Sequence, residues 1–443
     1  MKKLFKRFLI IVCILVSGFC FASCKEPGPD QPEEFQEVDY VSELKLDMNS
    51  ETLKQEVTVK SFIDGDTTHF YVPKSVRDTG ILKARYLAIN TPESTGKIEE
   101  WGKAASNFTK EKLSSAVSII IESDNNQWNL DSTGDRHLVW VWYKTSESDD
   151  YRNLNLEILQ TGLAIASNSS DNRYGTYCMK AISQAKKMKL YVYSGEKDPN
   201  YPYGEATAIT LKELRCNIEE YEGQKVSFEG VVVRSYNSTI YVENYDEETG
   251  LNYGISIYYG FNLSGKGLEI IEVGNFIKVV GTVQYYEEGQ TYQVSGVQYF
   301  PFKPNDPDNL QLISKDNEIT YAEITANDFV NGKVSVSLSD EETKEFDYPS
   351  LIMNTLVSMD NLKVKSVYTT DDEDSSSKGA MTLTCEVDGL TISIRTIVLE
   401  DENGNLITSE TFEGKTIDVK GMVDYFKGSY QIKVFSMKDI TIH

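Results

Sequence analysis

Histidine is nearly absent from this chain: 443 residues hold three, His69, His137 and the terminal His443. That scarcity leaves no basis for a two-histidine zinc site or a Ser-His-Asp triad, since both need imidazole in fixed partnership with other groups. No GxxxxGK[ST] or GxGxxG stretch occurs, which removes the common glycine-rich phosphate cradles. Cysteine is sparse as well. Cys178, Cys216 and Cys385 stand far apart with no CxxC spacing, so neither a disulfide framework nor a cysteine zinc site is expected. Positive charge is short: 44 Lys and Arg face 68 Asp and Glu, for a net charge of −24. Nucleic-acid affinity usually comes from basic groups on phosphates. An acidic chain that met phosphate would therefore have to keep its surplus acid away from the groove, or recruit a cation. Carboxylates, arginines and a hard cation are what remain for chemistry.

What is present favours β structure. Tyrosine reaches 27 residues, and valine, isoleucine and threonine run high. The length calls for two to four domains. Residues 1–23 stand apart. Lys2, Lys3, Lys6 and Arg7 precede an apolar run over 8–16 and then small residues, the pattern of a signal peptide too short to span a bilayer. The stretch Phe21-Ala22-Ser23-Cys24 resembles a bacterial lipobox, which implies lipidation of Cys24 and a membrane anchor, although Phe21 stands where leucine or valine is usual. Residues 24–41, with Pro27, Pro29 and Pro32 among acids, read as a flexible tether. Loss of the leader's four positive charges takes the net charge from −24 to −28.

A first folded block covers 42–203. Alternation over 57–62 predicts a strand, followed by Asp64-Gly65-Asp66 turn chemistry and a second strand through His69, Phe70 and Val72. Residues 81–89 read as a third strand and 139–143 as another. Helical spacing covers 99–116, 154–164 and a stretch ending near Leu190. A small barrel with three helices satisfies this order. Beyond Pro202 the texture is strands and glycine turns, and a repeat appears. Gly274-Asn275-Phe276-Ile277-Lys278-Val279-Val280-Gly281-Thr282-Val283 recurs as Gly414-Lys415-Thr416-Ile417-Asp418-Val419-Lys420-Gly421-Met422-Val423, and Tyr292-Gln293 and Tyr430-Gln431 follow the two copies. This pattern resembles bacterial OB-fold domains. It predicts two further OB-like barrels, 205–303 and 318–443, joined by a linker over 304–317. A mainly β chain with an α+β N-terminal domain is thus expected.

One constellation fits the remaining chemistry. Phe62-Ile63-Asp64-Gly65-Asp66-Thr67 is followed by Arg85, Asn90-Thr91-Pro92-Glu93, Gly102-Lys103-Ala104-Ala105, Arg136, Asn155-Leu156-Glu157, Gly162-Leu163-Ala164 and Gln184-Ala185-Lys186-Lys187. In this order and spacing the stretches resemble the staphylococcal-nuclease (thermonuclease) family over most of 57–198. The resemblance implies a thermonuclease-type OB barrel and residue roles. Asp66, Asn90 and the Thr91 carbonyl would ligate calcium, Glu93 would orient or deprotonate water, and Arg85 and Arg136 would hold the scissile phosphate. The chemistry is coherent. Guanidinium is planar, permanently charged and bidentate toward phosphate, calcium takes oxygen ligands, and a carboxylate can serve as base.

The chain departs from the family pattern in three places. Asn90 stands where an aspartate is usual. Gly134-Asp135-Arg136 replaces Tyr-Gly-Arg. Ser167-Asn168-Ser169-Ser170 occupies the place of substrate-side tyrosines, and Tyr174 and Tyr177 receive no role. The expectation is a secreted, membrane-anchored nuclease acting on DNA or RNA. The alternative is a catalytically silent nucleic-acid-binding lipoprotein on the same scaffold. Tyr236, Tyr241, Tyr258, Tyr285 and Tyr292 could stack bases, but with no obvious basic groove they read first as packing residues.

Overall fold

The structure is a computed structural model that describes residues 36–443 apart from Lys97, Asp340, Glu341, Glu373, Asp374 and Ser376. The leader, Cys24 and most of the tether lie outside the described residues. Among the described residues no helix is long and apolar enough to cross a membrane.

Asp39–His443 holds three five-stranded barrels built on one plan. In the first, β1 (Lys54–Phe62), β2 (Thr67–Tyr71) and β3 (Ile81–Tyr86) form a meander. β4 (Ser118–Glu122) returns to β1 antiparallel, and β5 (His137–Lys144) closes the barrel by pairing antiparallel with β4 and parallel with β3. The second barrel repeats this order with β6 (Lys225–Tyr236), β7 (Thr239–Asp246), β8 (Leu251–Tyr258), β9 (Phe276–Tyr286) and β10 (Thr291–Ser295). The third uses β11 (Leu356–Thr369), β12 (Met381–Val387), β13 (Leu390–Thr396), β14 (Thr416–Phe426) and β15 (Ser429–Val434). Closure leaves no long unpaired edge in any of them.

The sequence repeat falls on β9 and β14, the equivalent strands of barrels two and three. Its central glycines have a steric cause. A Cβ on Gly281 would lie 2.5 Å from Val294 Cγ1, and one on Gly421 2.6 Å from Ile432 Cγ2. The Tyr-Gln pairs also share a place: Tyr285 faces Tyr292 across the ladder with ring centroids 5.1 Å apart, and Tyr425 faces Tyr430 at 4.9 Å.

Two expectations need correction, and one strand had none. The strand over 81–89 breaks after Tyr86, because Ala88 takes φ +69° and the chain resumes as a two-residue pairing at 89–90. The all-buried strand β4, an apolar Ile119-Ile120-Ile121 run, was not expected. The linker over 304–317 is partly strand, since Gln311–Ser314 adds to β9 at Phe276 to Lys278.

Three helices pack on the first barrel: α1 (Gly102–Ser114), α2 (Leu154–Thr161) and α3 (Gly175–Met188). Asn153 caps α2 by accepting from Leu156 N–H, and Gly162 at φ +79° ends it. Fully buried Asn155 accepts from Val141 N–H at 2.9 Å and donates to the carbonyls of Leu87 and Val139 at 2.9 and 3.0 Å. That clasp ties α2 to the chain just upstream of residues 89–93.

The second and third barrels interlock. The hairpin of Lys333–Ser337 and Thr343–Asp347 sends Val336 into the second barrel's core. Gly254 lies so close to Asn354 that a Cβ there would meet the Asn354 carbonyl at 2.5 Å. Buried Arg215 donates to the carbonyls of Gly254 and the Asn354 side chain. Glu243 accepts from Leu356 N–H at 2.9 Å in the same seam, where burial pushes its carboxyl up to about 7, against the hydrogen bond that favours the ionised form.

Because this lies above the ordinary 4.5, the folded state holds the proton more tightly than the unfolded chain. No penalty exists below the ordinary value. Stability falls as pH rises between the two values, and the cost is constant above the higher one, about 3 kcal/mol in all. Glu243→Gln is expected to be more stable than the parent in urea unfolding near pH 8 and no more stable near pH 4. An equal gap at both pH values would refute the linkage.

Candidate active site

The turn after β1 sets the site. Ile63 and Asp64 N–H both donate to the Thr67 carbonyl, at 3.1 and 3.2 Å, and Asp66 N–H donates to Asp64 Oδ1 at 3.0 Å. The turn is pressed against α1. Thr109 Oγ1 donates to the Gly65 carbonyl at 2.6 Å, and a Cβ on Gly65 would lie 2.8 Å from the Ala105 Cβ. This explains why Gly65 and the Gly102-Lys103-Ala104-Ala105 stretch occur in the same pattern: only small residues let helix and turn touch.

Asp66, 1% exposed, is the hub. Its Oδ1 accepts from Thr67 Oγ1 at 3.1 Å and pairs with the Arg85 guanidinium, and its Oδ2 accepts from Thr91 N–H at 2.8 Å. Arg85 stands on β3 directly opposite Thr67, and its Nη2 donates to Asn90 Oδ1 at 2.6 Å. The structure thus brings Asp66, Arg85, Asn90 and Thr91 into one network. A short strand pairing of Ile89 and Asn90 with Ala166 and Ile165 supports it from outside. Ser167 N–H and Ser169 Oγ both donate to the Ala88 carbonyl, so the serine stretch has a holding role here.

Arg136 directly precedes His137, which pairs with Ala84 in the parallel ladder of β3 and β5. It reaches the same end of the barrel as Arg85. Asp131 holds it, accepting from Nε at 2.8 Å and pairing with Nη2 at 2.7 Å. Glu93 lies exposed at the rim, with its N–H donating to Glu99 Oε2 at 3.2 Å. Neither Glu93 nor Arg136 joins the Asp66 hydrogen-bond network, but both lie within its field. The surrounding protein raises the Glu93 carboxyl above the usual range, and the Asp64 charge adds to that. Burial raises Asp64 likewise, opposed by Arg85 and Arg136. Burial lowers the Arg85 guanidinium, opposed chiefly by Asp64.

Two partners escaped the sequence reading. Asp131 carries no signal beyond a turn composition. Asp64 was legible as one half of Asp64-Gly65-Asp66 but counted only as a turn residue. Tyr174, given no role, is structural: its hydroxyl donates to buried Glu122 at 2.9 Å and its ring abuts Trp140 and Trp142. Tyr236 and Tyr241 pack against Phe435 between barrels two and three, in keeping with the packing expectation.

Among the described residues no three histidine, cysteine or acidic side chains are arranged to hold a metal. A cation at Asp66 would rely on amide and carbonyl oxygens for its other donors. Those are hard oxygens of the type calcium takes, so the donor chemistry fits. The charge is one short, and Arg85 now engages both Asp66 Oδ1 and Asn90 Oδ1.

The rim of this OB barrel gathers a buried carboxylate network, two arginines and an outward glutamate. Residues 83–194 match the family described as staphylococcal nuclease homologue. The thermonuclease of Staphylococcus intermedius is 31% identical over 139 residues, covering 30% of this chain and 74% of that protein. The chain belongs to the staphylococcal nuclease family.

Proposed function

We propose that this chain is an exported, membrane-anchored nuclease that hydrolyses phosphodiester bonds in DNA, with RNA as a second substrate. The observation that carries the proposal is the single network joining Asp66, Arg85, Asn90 and Thr91, with Glu93 and Arg136 in its electrostatic reach. A phosphodiester anion resists attack, so its charge must be met and its water activated. Arg85 and Arg136 bind and orient the phosphate oxygens. Glu93, facing solvent, orients the water or takes its proton. Asp66 and Asn90, with the Thr91 carbonyl, would hold calcium, which when bound supplies further positive charge toward the phosphate. Anchoring through Cys24 rests on the lipobox resemblance. Digestion of plasmid DNA by the full chain, with calcium or with chelator, tests the class.

Asn90 favours a second reading, a catalytically silent binder, since it removes one negative ligand. Asn90→Asp separates the two. It restores the second carboxylate, so the calcium concentration for half-maximal cutting is expected to fall about tenfold or more, with the same shift in calorimetric calcium binding. A parent chain that binds nucleic acid but never cuts, while Asn90→Asp cuts, would establish the silent binder.

A further inference from the structure

The second barrel is docked on the loop that follows Glu93. Gly296 N–H donates to the Gly96 carbonyl at 2.7 Å and Gln284 Nε2 to the Ser94 carbonyl at 2.8 Å. Between the two barrels lies a cleft of about 820 Å³. Asn90 of the Asp66 network and the neighbouring Pro92 form part of its wall, and Trp101, Tyr191, Asn262 and Phe300 line it further on. The cleft therefore opens at the Asn90 side of the site.

Two tight turns of the second barrel stand at this cleft, and each presents a phenylalanine 99% exposed. In one, Asn262 N–H donates to the Tyr259 carbonyl, Gly260 takes φ +53°, and Phe261 sits at the third position. In the other, Lys303 N–H donates to the Phe300 carbonyl and Phe302 sits at the third position. Asn262 and Phe300, the residues that join these turns to the cleft, line it directly. Full exposure of an apolar ring costs free energy, and two such rings beside one cleft call for a ligand with flat apolar faces.

Charge narrows the choice. The walls carry Lys197 and Lys225 against Glu99, Glu100, Glu196 and Asp308, and Lys225 is already paired with Asp308 at 2.5 Å. A phosphate backbone gains nothing by lying on these walls. Any grip on a strand must then come from the rings, and stacking of an unpaired base on an aromatic ring is worth about 1–3 kcal/mol and tolerates any sequence. A duplex keeps its base faces hidden.

We propose that Phe261 and Phe302, with Phe300 at the cleft, form a stacking platform for the unpaired bases of a single strand whose scissile phosphate sits at Arg85, making the second barrel a selector for single-stranded substrate. This deepens the nuclease reading and rests on it.

The test uses the full chain and the double variant Phe261→Ala/Phe302→Ala with three substrates: a single-stranded oligonucleotide, its duplex, and a small chromogenic phosphodiester. The variant should raise KM for the single strand by about tenfold or more and leave cleavage of the small diester unchanged. The lost affinity should also vary little with salt, since no phosphate contact is removed. An unchanged single-strand KM overturns the proposal. So does a loss confined to sedimentation with phosphatidylethanolamine/phosphatidylglycerol vesicles, measured in a Cys24→Ala background so that no lipid anchor masks it, which would assign the rings to a membrane surface. If the parent cuts none of the three, it is the nuclease reading that fails. Fluorescence anisotropy of the same oligonucleotide then decides the platform: weaker binding by the variant upholds it, and equal binding overturns it.

Discussion

Glu93→Gln should reduce kcat for DNA cleavage by roughly 10²–10⁴-fold while leaving KM and thermal stability near the parent's. Glutamine keeps the shape and one acceptor but cannot take a proton. Glu93 is exposed, with its backbone N–H on Glu99, and no described structural bond depends on its carboxylate. The parallel substitution Arg85→Ala should lose at least as much activity, about 10²-fold or more, but for mixed reasons. Arg85 pairs with Asp66, which is 1% exposed. Its removal strands a buried carboxylate and should also destabilise the barrel, by about 3–5 kcal/mol. Arg85→Lys keeps a charge near Asp66 and loses the second donor to Asn90. It should recover much of the stability and little of the activity. Oligonucleotide cleavage kinetics beside thermal melts separate the two effects. If Glu93→Gln keeps the parent's kcat, the role given to Glu93 is wrong, whatever the arginine variants do.

Most of the site was legible because it is local in sequence. Asp64 to Thr67 and Asn90 to Glu93 are each a single turn, and a turn's chemistry is written in consecutive residues. What joins them is not local. The Arg85 to Asp66 pairing follows from the β2–β3 register, in which Thr67 opposes Arg85. The guanidinium's use of Asn90 could not be read from spacing at all. Asp131 was invisible for the same reason: its meaning comes only from Arg136 folding back on it across a turn. The barrels show the same division. Gly281 and Gly421 announced a repeat, and only the packing against Val294 and Ile432 gives the cause. The strand over 311–314 falls inside the stretch read as linker because it is only four residues long, and its pairing with β9 is a tertiary fact.

The docking of barrel two changes how the loop that follows Glu93 is understood. From sequence alone the C-terminal barrels are appendages. In the structure Ser94 and Gly96, one and three residues past Glu93, are hydrogen-bonded to Gln284 and Gly296 of barrel two. The loop carrying Glu93 is therefore held between two barrels, and its other support comes from α1.

That support makes Gly102→Ala the second large effect. Gly102 opens α1, and its N–H donates to the Glu99 carbonyl at 3.0 Å while Glu99 N–H donates to the Glu93 carbonyl at 2.9 Å. A Cβ at position 102 would lie 2.1 Å from the Glu93 carbonyl oxygen and 3.2 Å from that of Pro92. Both are backbone atoms, so no side chain can swing aside. Either the start of α1 or the 92–93 backbone must move, and a displacement of about 1 Å at a catalytic group can cost about 10²-fold in rate. The expected result is a loss of kcat of that order with a stability loss of only about 1–3 kcal/mol, as for other overpacked sites. Gly389→Ala in the third barrel is the matched control. Gly389 has φ +75° and nothing within 4 Å of an added Cβ, so it bears a backbone penalty without pushing on any neighbour. It should melt earlier and cut normally. If Gly102→Ala also cuts normally, the Glu93 backbone is free to move without consequence, and the two-sided clamp on that loop is not what positions the glutamate.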